Sequence, residues 1–479
     1  RLLGRSPFME VGGWDAGKAY RTLRKRVAEW PADRKVLQRG EPQAVVVAQS
    51  APSASSLPVE APARGTLLYG EGMAQLFRGC VYVLDRHSVL TPQGHLLGPQ
   101  EFSVLYSGYD FVMRVDNAGS GAIKSDAFKA FTEAQTYSRV IAATTVFDPR
   151  EPLGALIERE GRLMVNTYRD VQTPRKSGDA SPFLDLLRRM LPDERDRTGL
   201  LSWAAVLVLY RGRKFQWWRV IQGWDGNGKS LFTDVLAHAV GECYTARPRI
   251  KDIENKFNAW MQQALLAVLD DTGRRAITGE VLDMVKPMVT GRIQNIEKKG
   301  QDSTPKPVFF NGVITTNFQD TVVVEDGTRR FAVFFCAQQK QADMARDGLT
   351  EEYFKRYLAW LTEEDGFAIA HDYLATYAIP AEFNPAEGCT RAAASSSMAA
   401  AIEAGLSEVE RRAVEMRDGG EEGFRGGWFN VSTYRHVEGS KGLPLHALYK
   451  RLEANGYVPH PALESNGGRT RDNPPGEFR

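Results

Sequence analysis

Residues 223–230 read GWDGNGKS. Few strings restrict a chain more. Glycines ahead of a lysine and a hydroxyl let the backbone wrap an anion with successive N–H groups pointing inward. The context must be a strand entering and a helix leaving, because the helix adds its positive N-terminal end to the same anion. Both flanks supply it. KFQWWRVIQG at 214–223 is aromatic and β-branched and reads as a strand, and SLFTDVLAHAVGE at 230–242 has helical periodicity. Gly223, Gly226, Asn227, Gly228, Lys229 and Ser230 are therefore expected to bind ATP. Lys229 reaches the β- and γ-phosphates and Ser230 holds Mg²⁺.

Such a loop needs an acidic partner on a neighbouring strand. ALLAVLDD at 264–271 is an apolar run ending in two aspartates. Asp270 is expected to hold the Mg²⁺ shell through water, and Asp271 to polarise the attacking water. A third strand, VFFNGVITTN at 308–317, ends in Thr315, Thr316 and Asn317. Ligands of open α/β sheets sit outside the carboxyl ends of the strands, so Asn317 is placed to orient the attacking water or sense the γ-phosphate. EDGTRRF at 325–331 carries an arginine pair ahead of the apolar FAVFF. It is either a solvated face or, the favoured reading, an arginine finger given in trans to a neighbouring subunit's nucleotide, Arg329 ahead of Arg330. Between the second and third strands, RIQNIE alternates like a strand and KKGQ like a turn. Lys298 and Lys299 at that tip either solubilise a turn or grip a phosphate backbone.

The remaining chain is ordinary by composition. The net charge is +2 over 479 residues, so any nucleic-acid-binding surface must be local. The cysteines are scattered without a CxxC pair, which argues against a zinc site or disulfide framework and fits a reducing, cytoplasmic setting. LLSWAAVLVLY at 200–210 is too short to span a bilayer, and no membrane association is expected. Residues 1–39 include the basic, helical AGKAYRTLRKRVAEW, and 40–65 are an Ala/Pro/Ser-rich linker. Residues 66–180 form a small α+β region, with β-type runs CVYVLD, FSVLYS and DFVMRV and a helical DAFKAFTEAQTYS. Helices follow over 181–212, the α/β core over 213–340, a helical lid over 341–388, and a C-terminal region over 389–479.

The order of motifs resembles superfamily 3 helicases, the AAA+-like motors of DNA viruses and phages. That family arranges a Walker A loop with Asn before the final Gly (here Asn227), a Walker B ending in two acids, a Lys-bearing hairpin, a strand ending in Thr/Ser-Asn, and an arginine finger. FNAW at 257–260, GRIQNIEKKG and DGTRRF look most like the phage and plasmid primase-helicase branch with D5-like motors. The resemblance implies an AAA+-like P-loop NTPase core, with 181–212 as a collar and the C-terminal region winged-helix-like. It also implies a homo-oligomer, a hexamer, that translocates on single-stranded or forked DNA, using ATP and Mg²⁺. Asp271 stands where many relatives carry Glu. The chain starts at Arg1 rather than Met and is expected to be a fragment of something longer; a primase or polymerase half of the kind the resemblance implies would lie upstream of Arg1. A P-loop ATPase acting as a DNA-bound switch or assembly factor, without unwinding, is the alternative.

Overall fold

A computed structural model describes residues 62–115, 121–255, 257–297, 303–322, 329–385, 395–405, 408–421, 424, 429–430 and 477–478. The expectations for 1–39 and 40–61, for Lys298 and Lys299, and for most of 389–479 lie outside these residues.

Residues 62–170 form a mixed α/β region. Its strands are β1 (Leu67–Leu68), β2 (Val81–Val83), β3 (Ser88–Leu90), β4 (Leu96–Leu97), β5 (Asp110–Val115), β6 (Gly121–Lys124), β7 (Val140–Ala142), β8 (Thr144–Val146), β9 (Leu156–Arg159) and β10 (Arg162–Asn166). They make three small sheets, β1-β5-β6, β4-β3-β2-β7 and β8-β10-β9. Helices α1 (Gly70–Leu76), α2 (Pro99–Leu105) and α3 (Ala127–Glu133) accompany them. FSVLYS, expected as a strand, lies largely in α2. Pro99 begins this helix without losing a needed hydrogen bond. The helical turn also stacks Phe102 near Tyr106, ring centroids 4.6 Å apart, and sets Phe102 against Phe77 and Phe131. That packing overrides the β preference of the string.

Helices α4 (Ser181–Met190) and α5 (Glu194–Leu209) lead into the main sheet. This sheet has five strands in the order β12-β13-β16-β11-β17. They are β11 (Trp218–Gln222), β12 (Thr245–Ala246), β13 (Leu266–Leu269), β16 (Asn311–Thr316) and β17 (Phe331–Phe335), all parallel. The acid-bearing strand β13 is not adjacent to β11, as the sequence suggested; β16 lies between them. The hairpin β14 (Ile293–Ile296) and β15 (Thr304–Pro307) is antiparallel and separate from the sheet.

Alternation along the strands feeds two cores. Ile221, Val313 and Phe334 face α4, α5 and α6 (Lys229–Val240), together with α10 (Glu351–Glu363) and α11 (Gly366–Thr376). Val220, Ile314 and Val333 face the other way, towards α8 (Gly279–Thr290) and α12 (Met398–Gly405). Strands covered on both faces are mostly apolar, so they read as near-continuous hydrophobic runs, with polar residues such as Gln222, Thr315 and Thr316 buried at their carboxyl ends. Helices α7 (Ile250–Glu254), α9 (Gln341–Arg346) and α13 (Glu408–Asp418) complete the described set. Among the described residues no helix is long and apolar enough to cross a membrane.

Candidate functional site

Because all five strands run the same way, β11, β13 and β16 release their C-terminal ends at one edge. The loop after β11 enters α6 at Lys229. Gly226 and Gly228 take φ of 72° and 101°, a left-handed backbone that favours glycine. Among the described residues, the backbone N–H groups of Gly226, Asn227 and Gly228 donate to no acceptor.

The Lys229 ammonium is buried inside this loop. It donates to Gly223 O at 2.7 Å, Trp224 O at 2.9 Å, Asn227 Oδ1 at 3.1 Å and Asn317 Oδ1 at 3.0 Å. All four acceptors are neutral. Burial pulls the Lys229 pKa below the ordinary lysine range, opposed by the nearby acids. A charge desolvated and matched only to carbonyl dipoles gains most from an arriving anion.

Ser230 Oγ sits 3.2 Å from Asp270 Oδ2. Thr315 Oγ1 donates to Asp270 Oδ1, fixing the carboxylate from the intervening strand β16. Asp271 has a left-handed backbone, φ 48°, rare for a residue with a Cβ. Its N–H donates to Asp270 Oδ1 at 3.1 Å and to Thr315 Oγ1 at 3.3 Å. Asn317 Nδ2 reaches Asp271 Oδ1 at 3.5 Å. Lys229, Ser230, Asp270, Asp271 and Asn317 thus line one cleft of about 420 Å³.

Sequence reasoning missed four contributors. Phe354 and Leu358 of α10 wall the cleft. Cys336 packs behind the loop, where a Cβ on Gly223 would lie 2.8 Å from its own. Burial pushes the Cys336 thiol up to about 11, so it is a packing residue. Gln338 braces Asn227 at 3.4 Å. No local pattern announces any of these, since each comes from more than a hundred residues away.

Hard oxygen donors fit magnesium. Among the described residues no cluster of three or more His, Cys, Asp or Glu could hold a metal. Magnesium needs none, since it commonly takes one or two carboxylates and completes its shell with water and phosphate. Ser230 and Asp270 match that demand.

Arg329 and Arg330 are elsewhere. The register pairs Trp218 with Phe331 and Gln222 with Phe335. The arginines precede Phe331, so they lie at the amino edge of the sheet, about 13 Å of strand from the cleft edge. Arg329 is exposed and Arg330 half-buried. The β14–β15 hairpin joins β16 at that same amino edge.

A family model described as a family of unknown function, DUF5906, matches residues 221–330. That span runs from the end of β11 through Arg330. The A-form apo structure of the NrS-1 C-terminal region aligns at a TM-score of 0.51 and 16% identity, over 71% of this chain and 74% of that one. What they share is the fold. A further apo structure of the NrS-1 C-terminal region gives 0.46 at 18% identity, covering 66% of this chain and 77% of that one. A ligand-bound JCV helicase gives 0.26 at 11% identity, covering 50% and 64%. Both of these scores are too low to establish a common fold. No curated protein matches the chain.

Proposed function

We propose that the chain is an ATP-driven motor on DNA, a superfamily 3-type helicase of the phage and plasmid primase-helicase kind, working as a ring of identical subunits. One observation carries the reading. Three parallel strands bring Lys229, Ser230, Asp270, Asp271 and Asn317 to a single cleft beside three unpaired loop N–H groups.

The roles follow from position. The loop amides and Lys229 hold the β- and γ-phosphates of ATP. Lys229 can leave its carbonyl partners because none is a counter-charge. Ser230 and Asp270 hold Mg²⁺, which neutralises phosphate charge when bound with the nucleotide. Asp271 accepts the proton of the attacking water, and Asn317 orients that water while contacting Lys229. Arg329 lies at the opposite edge of the sheet from its own cleft, so a finger role requires a second copy of the chain. The hairpin carrying Lys298 and Lys299 leaves the same edge, where a strand passing through a ring would meet it.

The test is ATP hydrolysis and strand displacement on forked DNA, with oligomer mass measured with and without nucleotide. Replacing both Lys298 and Lys299 by Ala should spare basal hydrolysis and abolish displacement. Hydrolysis without any displacement by the wild-type protein would leave the reading of an ATPase switch.

A further inference from the structure

A second cleft, of about 480 Å³, opens where the β14–β15 hairpin leaves the sheet. Three distant segments supply its basic side chains: Arg150 and Arg159 from the N-terminal region, Arg211 and Arg213 with the more buried Lys214 from the turn before β11, and Arg292 at the start of the hairpin; the five arginines carry its charge. No carboxylate lines it. The chain's net charge is only +2, so this is a local concentration of positive charge.

Five of these six side chains are held in place. Buried Asp148 accepts from Arg150 at 2.6 Å and Arg159 at 2.7 Å, and both guanidinium groups remain partly exposed. Asp170 accepts from Arg211 at 2.7 Å. Arg213 donates to Pro385 O at 2.8 Å and Lys214 to Met288 O at 2.7 Å. Gly212, φ 81°, lets the turn approach the 149–150 segment, for a Cβ there would lie 2.6 Å from Pro149. One exposed aromatic, Tyr210, stands among them, and Phe309 is buried behind Arg150. The Arg150 guanidinium sits over Phe309 at 5.2 Å, and Tyr210 is 40% exposed.

We propose that this cleft binds the phosphate backbone of single-stranded DNA, continuing the path of the β14–β15 hairpin. Guanidinium forks match phosphate oxygens, and a basic groove with an exposed aromatic ring is what an unpaired strand requires. The inference rests on the reading of the chain as a motor on DNA, because it supplies that motor with a second grip.

Arg292→Gln, and Arg213→Gln with Arg292→Gln, are the variants to make. Neither touches Asp148, so the buried carboxylate keeps its partners. In fluorescence anisotropy with a labelled oligothymidine, each lost contact should lower the log–log salt slope by roughly 0.7. ATP hydrolysis without DNA should be unchanged. Oligonucleotides carrying 4-thiothymidine should crosslink to residues 210–214 or 292–293. Unchanged slopes with crosslinks mapping elsewhere would overturn the proposal. So would loss of inorganic tripolyphosphate binding alone, measured in a Lys229→Ala background, since that marks a free-nucleotide site. Wild-type protein that hydrolyses ATP yet binds no strand overturns this cleft and leaves the ATPase. Strand binding that the variants weaken, without any hydrolysis, supports the cleft and overturns the motor.

Discussion

The Lys229 ammonium and the Asn317 side-chain carbonyl lie 3.0 Å apart, across 88 positions of sequence. The contact joins the loop after β11 to the end of β16, the strand beside it. It couples the residue proposed to hold phosphate with the residue proposed to orient water. A shift of either is felt by the other.

Lys229→Ala should abolish ATP hydrolysis and leave the fold intact. The side chain bonds only to the loop and to Asn317, and its removal takes a desolvated charge out of the interior. Phosphate release should fall to background while circular dichroism is unchanged. Normal turnover by the purified variant would refute the phosphate-loop assignment.

Thr315→Val should weaken Mg²⁺ use. Thr315 donates to Asp270, so the variant leaves the acid present but unaligned. Loss of a partner that orients a metal ligand typically costs about 10–100-fold in metal affinity or activity. Thr315→Ser should retain most function. A Mg²⁺ titration of hydrolysis reads this directly, and an unshifted midpoint in Thr315→Val counts against the role.

Arg329→Ala should be rescued by mixing. Arg329 lies at the opposite edge of the sheet from its own cleft. Arg329→Ala and Lys229→Ala subunits, each inactive alone, should regain hydrolysis when exchanged into one ring, because some interfaces pair an intact loop with an intact finger. If subunit exchange is verified and activity stays absent, Arg329 does not act in trans.

Lys214 sets a pH dependence. Burial lowers its pKa from 10.5 to about 7. The arginines facing it, Arg150, Arg159, Arg211, Arg213 and Arg292, keep their charge throughout that range. Between pH 7 and 10.5 the unfolded chain holds a proton that the folded chain has lost. Stability from this residue therefore rises with pH across the window. Below pH 7 both states are charged, and the cost of burying the ammonium is present in full. Lys214→Met removes that cost, together with the bond to Met288 O. Its melting temperature relative to wild type should be highest near pH 6 and fall as pH rises towards 10. A difference that does not vary with pH would contradict the buried, depressed lysine.

The sequence by itself determined the loop and its strand-ends. GWDGNGKS, LDD and ITTN are local strings whose chemistry is legible because glycine geometry, apolar runs and terminal polar residues are short-range properties. It also gave correct helices at α5 and α6, where periodicity and length agree. Only the tertiary structure decided the rest. FSVLYS became helical because Phe102 packs against Phe77 and Phe131, a choice made by distant rings. The insertion of β16 between β11 and β13 followed from how the crossovers pack, and it made Thr315 the residue that holds Asp270. Phe354, Leu358 and Cys336 joined the site, and five arginines from three segments joined one cleft, through contacts between distant parts of the chain. Local chemistry is written residue by residue, whereas which residues meet is set by burying both faces of one parallel sheet.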